Sequence, residues 1–201
     1  MKKNATTAVP ILRTVAGLAL LGLISLTAMA EEAPWLLDAR KVANTVPPKL
    51  LQVLNDEIAK GGPASAIGVC RDKAPQMAKT ASEQSGWTIK RVSLRNRNPK
   101  AVPDGWERAA LEEFDRRAAA GENPANLEKS SSVVTEDGRT EYRYMKALPV
   151  QQVCLACHGA PDSLMPDVAT QLHTLYPNDK AVGYAMGQIR GAMTIRKTLA
   201  N

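Results

Sequence analysis

Residues 154–158 read Cys-Leu-Ala-Cys-His, and they hold two of the three cysteines and one of the two histidines in a chain of 201 residues. Thiolate and imidazole are strong ligands for soft and borderline metals, so the fold must be arranged around whatever these groups grip. The flanks narrow the choice. Ser131–Thr135 and Arg139–Leu148 stand on either side of Asp137-Gly138, a pair that predicts a tight hairpin, and the cluster follows directly. Gly159-Ala160-Pro161 comes next and discourages a long helix after it.

The N-terminus reads as a targeting segment, residues 1–30. Lys2, Lys3 and Arg13 precede an apolar run over 15–27, and Ala28-Met29-Ala30 is a small-residue cleavage pattern. The run is short for a membrane span, so no stable span is expected after cleavage; an uncleaved anchor is the alternative. Residues 31–201 then form one domain in an oxidising compartment, periplasmic or secreted. The whole chain carries 26 Lys+Arg against 20 Asp+Glu; without the leader the count is 23 against 20, a net charge of +3. With no basic run interleaved with aromatics, nucleic acid is not an expected partner. An odd cysteine outside the cell must be buried or bound, which puts the question to Cys70.

The remaining periodicities predict an α+β domain, with helices first and an antiparallel sheet later. Residues 35–60 read as helix broken at Pro47-Pro48 and stopped by Gly61-Gly62-Pro63. Residues 64–83 read as helix again, kinked by Pro75 near Arg71, with Ala66, Ile67, Cys70, Ala74 and Met77 on a buried stripe. Trp87–Leu94 alternates as a strand. Asp104 and Glu107 form a capping box for a helix reaching Ala120. A short helix over 167–176 and a closing strand over 188–197 complete the reading.

A CxxC can be a redox dithiol, half a zinc site or a haem attachment. A redox dithiol belongs at a helix N-terminus in a βαβ unit, and here the motif follows a hairpin. Zinc would have to recruit Cys70 or His173, each standing alone. Haem c fits without rearrangement: Cys154 and Cys157 form thioethers with the two vinyl groups, and His158 falls under the ring as proximal iron ligand. For the sixth position the candidates are His173, Cys70, Met77, Met145, Met165, Met186 and Met193, each with a bland core or surface reading, and spacing does not rank them. Arg91, Arg95 and Arg97 are candidate contacts to haem propionates, against the alternative of a solvated loop face. Tyr142 and Tyr144 alternate onto one face and read as packing residues.

Five stretches carry a family resemblance. GGPASAIGVCRDKAP (61–75), RVSLRNRNP (91–99), VPDGWE (102–107), CLACHG (154–159) and DKAVGYAMGQIRGAMTI (179–195) resemble, in order, the small c-type haem domains of the Tll0287-like family. Ala101 departs from the family pattern, where asparagine is expected. The resemblance implies a PAS-like fold, an antiparallel sheet with N-terminal helices packed on it. It also implies that Cys70 is the distal iron ligand opposite His158. A thiolate on iron favours Fe(III) and gives a low potential. Reduction should then favour protonation and release of Cys70, opening a place for CO or NO.

Two roles follow as expectations: a redox or gas sensor that signals to a separate protein partner, or an exported electron-transfer cytochrome. Catalysis is not expected, because a peroxidase needs distal acid–base groups and His173 is the only spare histidine.

Overall fold

The computed structural model describes residues 32–199, so the targeting segment read over 1–30 lies outside the described residues. Among the described residues no helix is long and apolar enough to cross a membrane.

The chain opens with α1 (Pro34–Ala43) and α2 (Val46–Ser65). The break between them falls just upstream of Pro47-Pro48, which occupy the first turn of α2, where a missing N–H costs nothing. Near its far end α2 is interrupted at Gly62, whose φ of 77° and ψ of 178° are not helical, so the expected stop is present as a sharp kink. A π-helical turn (Val69–Lys73) then leads into α3 (Ala74–Ser85). Pro75 has no N–H to give to Arg71, and the Ala74 amide reaches back to the Val69 carbonyl, one residue further than an α-helix allows. The expected kink is therefore an inserted residue in the helical ladder. It has a consequence for Cys70: Ile67 and Val69 are buried, but Cys70 leaves the buried stripe on which periodicity placed it and meets solvent.

Four strands follow in one antiparallel sheet: β1 (Thr88–Val92), β2 (Glu128–Val134), β3 (Thr140–Pro149) and β4 (Ile189–Thr198), in the order β1-β4-β3-β2. α4 (Gly105–Ala119) covers one face, packing Leu111 and Phe114 on Val92, Met145 and Ala192. α1, with α3 beside it, covers the other face over Ile89, Tyr144, Met193 and Ile195. The α+β expectation, an antiparallel sheet with N-terminal helices packed on it, is met. Each large side chain sealed in these layers contributes ~1.5–3 kcal/mol of burial.

α4 is fixed by the capping box that the sequence shows: the Glu107 amide donates to Asp104 and the Asp104 amide to Glu107, both at 2.9 Å. The Glu107 carboxylate is fully buried and also accepts from Thr194 Oγ1 at 3.0 Å and Lys90 Nζ at 3.2 Å, tying α4 to β4 and β1. On the opposite face Tyr144 donates to Glu128 at 2.7 Å, so Tyr142 and Tyr144 share one face as core residues.

The CxxCH segment leaves β3 through a 3-10 turn (Gln152–Cys154) into a single turn, α5 (Leu155–His158), then α6 (Pro166–Leu175). β3 and β4 lose register at one point. Leu148 faces Gly191 and Pro149 faces Ile189, leaving Arg190 as an extra residue in a β-bulge. Gly191 sits at φ +150°, and a Cβ there would lie 2.4 Å from the Val92 carbonyl oxygen.

Candidate functional site

Cys154, Cys157 and His158 come to one side of α5 because a single helical turn places residues three and four apart together. The turn stops at Gly159, whose amide donates to the Leu155 carbonyl at 2.9 Å; a Cβ there would lie 2.6 Å from that same oxygen, so only glycine fits. The motif is then clamped to the loop leading to β4. Gly183 donates to the Gly159 carbonyl at 2.7 Å and Tyr184 to the His158 carbonyl at 2.9 Å.

That loop fixes the imidazole. His158 Nδ1 lies 2.6 Å from the Ala181 carbonyl oxygen. A carbonyl only accepts, so Nδ1 carries the proton and Nε2 keeps its lone pair, the arrangement a metal-binding histidine requires. Burial first, then the charges of Arg190 and Arg97, pull the His158 pKa down to about 2 against the opposing Ala181 carbonyl. The ring is thus neutral at any physiological pH. Tyr184 meets it edge-on, with ring centroids 6.4 Å apart.

Cys70, on the π-turn, lies within electrostatic reach of Cys154 and Cys157. It is reached by solvent, yet crowding by protein pushes its thiol up, while Arg91, Arg97 and Arg190 pull it back and Cys154 adds to the rise. Arg91 shows the same combination, exposed at its surface and lowered by burial. Both therefore line an open concavity rather than a convex surface. Burial also pushes Cys157 up, and there too Arg97, Cys70 and Cys154 are the charges felt. All three thiols share one electrostatic neighbourhood.

The arginines divide by role. Arg91, on β1, has Cys70, Cys154 and Tyr184 as its nearest titratable influences. Arg97 staples the site: Nε donates to Asp179 at 2.9 Å and Nη2 to the Cys157 carbonyl at 2.6 Å, while the Ala181 amide donates to Asp179 at 2.8 Å. Arg95 is held by the carbonyls of Lys180 and Val182 and stacks over Tyr184 at 4.1 Å. Arg190, not anticipated from the sequence, lies on the β4 bulge and is 6 % exposed. Its Nε is 3.2 Å from His158 Nδ1 and 3.4 Å from Nε2, and only the unprotonated Nε2 can accept its proton. Burial, then Arg91, pulls its pKa down to about 9.

The other candidate ligands lie elsewhere. His173 is exposed on α6, Met145 and Met193 are core residues, Met77 packs against the core, and Met165 and Met186 are on the surface. A cleft of about 490 Å³ on the α4 side is lined by Arg95, Asp115, Tyr184 and Gln188, but by no cysteine and no histidine. The donor groups, not cavity size, locate the site. Among the described residues no three His, Cys, Asp or Glu side chains are already gathered as a metal-ion cage.

The sequence model of the Tll0287-like family matches residues 24–197. The chain belongs to the Tll0287-like family. A crystal structure of the cyanobacterial haem protein Tll0287 is similar to it, with a TM-score of 0.56 and 24% identity over 82% of this chain and 95% of that one. No curated protein matches it. Four of the five family-like stretches, far apart in sequence, meet at the recess: the π-turn supplies Cys70, β1 and its loop supply Arg91 and Arg97, α5 supplies the CxxCH, and the segment into β4 supplies Asp179, Ala181, Tyr184 and Arg190. The fifth, VPDGWE, caps α4 instead.

Proposed function

We propose that this chain is an exported monohaem c-type cytochrome domain and acts as a redox or gas sensor. Cys154 and Cys157 would hold the porphyrin through thioethers, His158 Nε2 would bind the iron, and Cys70 would bind it from the other side. The donor set fits. Two thiols stand on one turn beside a neutral imidazole, a third thiol shares the recess, and arginines supply charge for two carboxylates. The observation that carries the reading is the His158 Nδ1 contact to the Ala181 carbonyl, which leaves Nε2 unprotonated and able to bind a metal.

When bound, haem supplies one-electron chemistry. The chain's own residues determine its consequences. Ala181 orients His158, and Arg97 with Asp179 holds the loop that carries Ala181. Cys70 would supply a thiolate that favours Fe(III), and with the iron reduced its Sγ would more readily take a proton from solvent. Its position on a π-turn supports release of the thiol, since such turns are local interruptions of a helix that cluster at functional sites. A freed position would admit CO or NO, and the signal would pass to a protein partner outside this domain.

The test is the optical spectrum of the purified protein, oxidised and reduced, with and without CO, beside a Cys70→Ser variant. The reading expects a c-type spectrum, a changed ferric spectrum and potential in the variant, and CO binding on reduction. An unchanged ferric spectrum in Cys70→Ser removes Cys70 from the iron. Six-coordination in both redox states without CO binding assigns the domain to electron transfer instead.

A further inference from the structure

Arg190 is a buried cation without a carboxylate. Among the described residues no acidic side chain forms an ion pair with it; its Nη1 donates to Ser93 Oγ at 3.1 Å and to the Arg95 carbonyl at 3.3 Å, and its guanidinium lies 5.5 Å from the Tyr184 ring centre. Leaving a buried charge unpaired costs several kcal/mol, so packing does not account for it. Nor does regular sheet geometry. Arg190 is the extra residue of the β4 bulge, and bulges of this kind re-aim a side chain. Gly191, which the bulge requires, lets β4 approach Val92 and Ser93 closely and so sets Ser93 under the guanidinium. The sheet is deformed at one point, and the result is a fixed cation beside the imidazole of His158.

We propose that Arg190 is a positioning residue of the iron site, a fixed positive charge held by the β4 bulge beside His158 that favours the reduced iron and offsets part of the thiolate's preference for Fe(III). This rests on the haem reading above. At neutral pH the guanidinium is protonated in both redox states, so its charge does not change with them. The anchors to Ser93 and Arg95 use Nη1, not the Nε that meets the imidazole, so they would hold the guanidinium nearby when Nε2 is given to the iron. A cation beside the iron's histidine ligand would destabilise the oxidised iron more than the reduced one, because the oxidised iron carries one more positive charge.

The test compares midpoint potentials of wild type, Arg190→Gln and Arg190→Lys, made as holoproteins with haem attached. Dithionite with mediators supplies the electron. The proposal expects a lower midpoint in Arg190→Gln and a value much nearer wild type in Arg190→Lys. A purely structural role would lower thermal stability in both and would not separate their potentials. An unchanged midpoint in Arg190→Gln, or equal shifts in the two variants, overturns the proposal. Should Arg190→Gln not fold, Arg190→Met takes its place with the same expected direction. If neither neutral variant folds while Arg190→Lys does, the charge serves the fold and the assignment to the iron is overturned. A wild-type protein without haem instead overturns the parent reading, and this proposal with it.

Discussion

Gly191→Ala probes the link between the sheet and the site. The glycine lies at φ +150°, a region that an L side chain occupies only with ~1–3 kcal/mol of strain. The added Cβ would stand 2.4 Å from the Val92 carbonyl oxygen and 3.2 Å from Ser93 Cβ, and the first of these is backbone that cannot rotate away. β4 must move off β1, an overpacking cost of another ~1–3 kcal/mol. The total of ~2–6 kcal/mol lowers the melting temperature of a domain this size by roughly 5–20 °C. Gly86→Ala is the control. Gly86 is also left-handed, at φ +71°, but nothing lies within 4 Å of its would-be Cβ, so only the ~1–2 kcal/mol conformational cost applies. Thermal unfolding followed by circular dichroism measures both variants. Amide exchange should accelerate at 91–93 and 189–192 in the Gly191 variant alone. A Gly191→Ala protein melting within about 2 °C of wild type would refute the close approach of β4 to β1.

Three further outcomes follow from the same contacts. Glu107→Gln removes the carboxylate that Lys90 and Thr194 address inside the fold, and should cost ~3 kcal/mol in urea unfolding. Burial acts to raise the Glu107 carboxyl, but the Asp104 amide and Lys90 hold it below the usual carboxylate range, and its stabilisation is therefore complete above the unfolded value of ~4.3 and lost as pH falls through the folded one; wild type should lose stability more steeply than Glu107→Gln below about pH 4.5. Asp179→Ala strips the partner from Arg97, whose side chain is only 9% exposed, and unties the Ala181 amide. A loss of ~3 kcal/mol is expected, and in protein made without haem His158 should change from a single Nδ1–H tautomer to a mixture by nitrogen NMR.

Much of this was legible in short-range signals. The Asp104/Glu107 box starts α4 where expected, Asp137-Gly138 turns the hairpin, and Gly159-Ala160-Pro161 holds α5 to four residues. Each depends on chemistry within three or four residues, which a sequence displays directly. Cys70 shows the limit. Its spacing fits a buried helical stripe, but Pro75 inserts a residue in the ladder and the thiol is left exposed. A proline kink was readable; which way it would rotate Cys70 was not. Arg190 was hidden for a different reason. In QIRGAMTIRK it alternates as an ordinary strand residue, and the bulge exists only through the pairing of β4 with β3. The glycine after it was the one available hint. Ala181 contributes a backbone oxygen, which no side-chain motif reveals, and Asp179 takes its meaning from Arg97, 82 residues away.

The most direct measurement is the intact mass of the protein exported from cells with a working cytochrome c maturation system, alongside Cys154→Ala and Cys157→Ala. The account predicts polypeptide plus one covalently bound haem in wild type, with the linkage weakened in either variant. A bare polypeptide mass in wild type would contradict it.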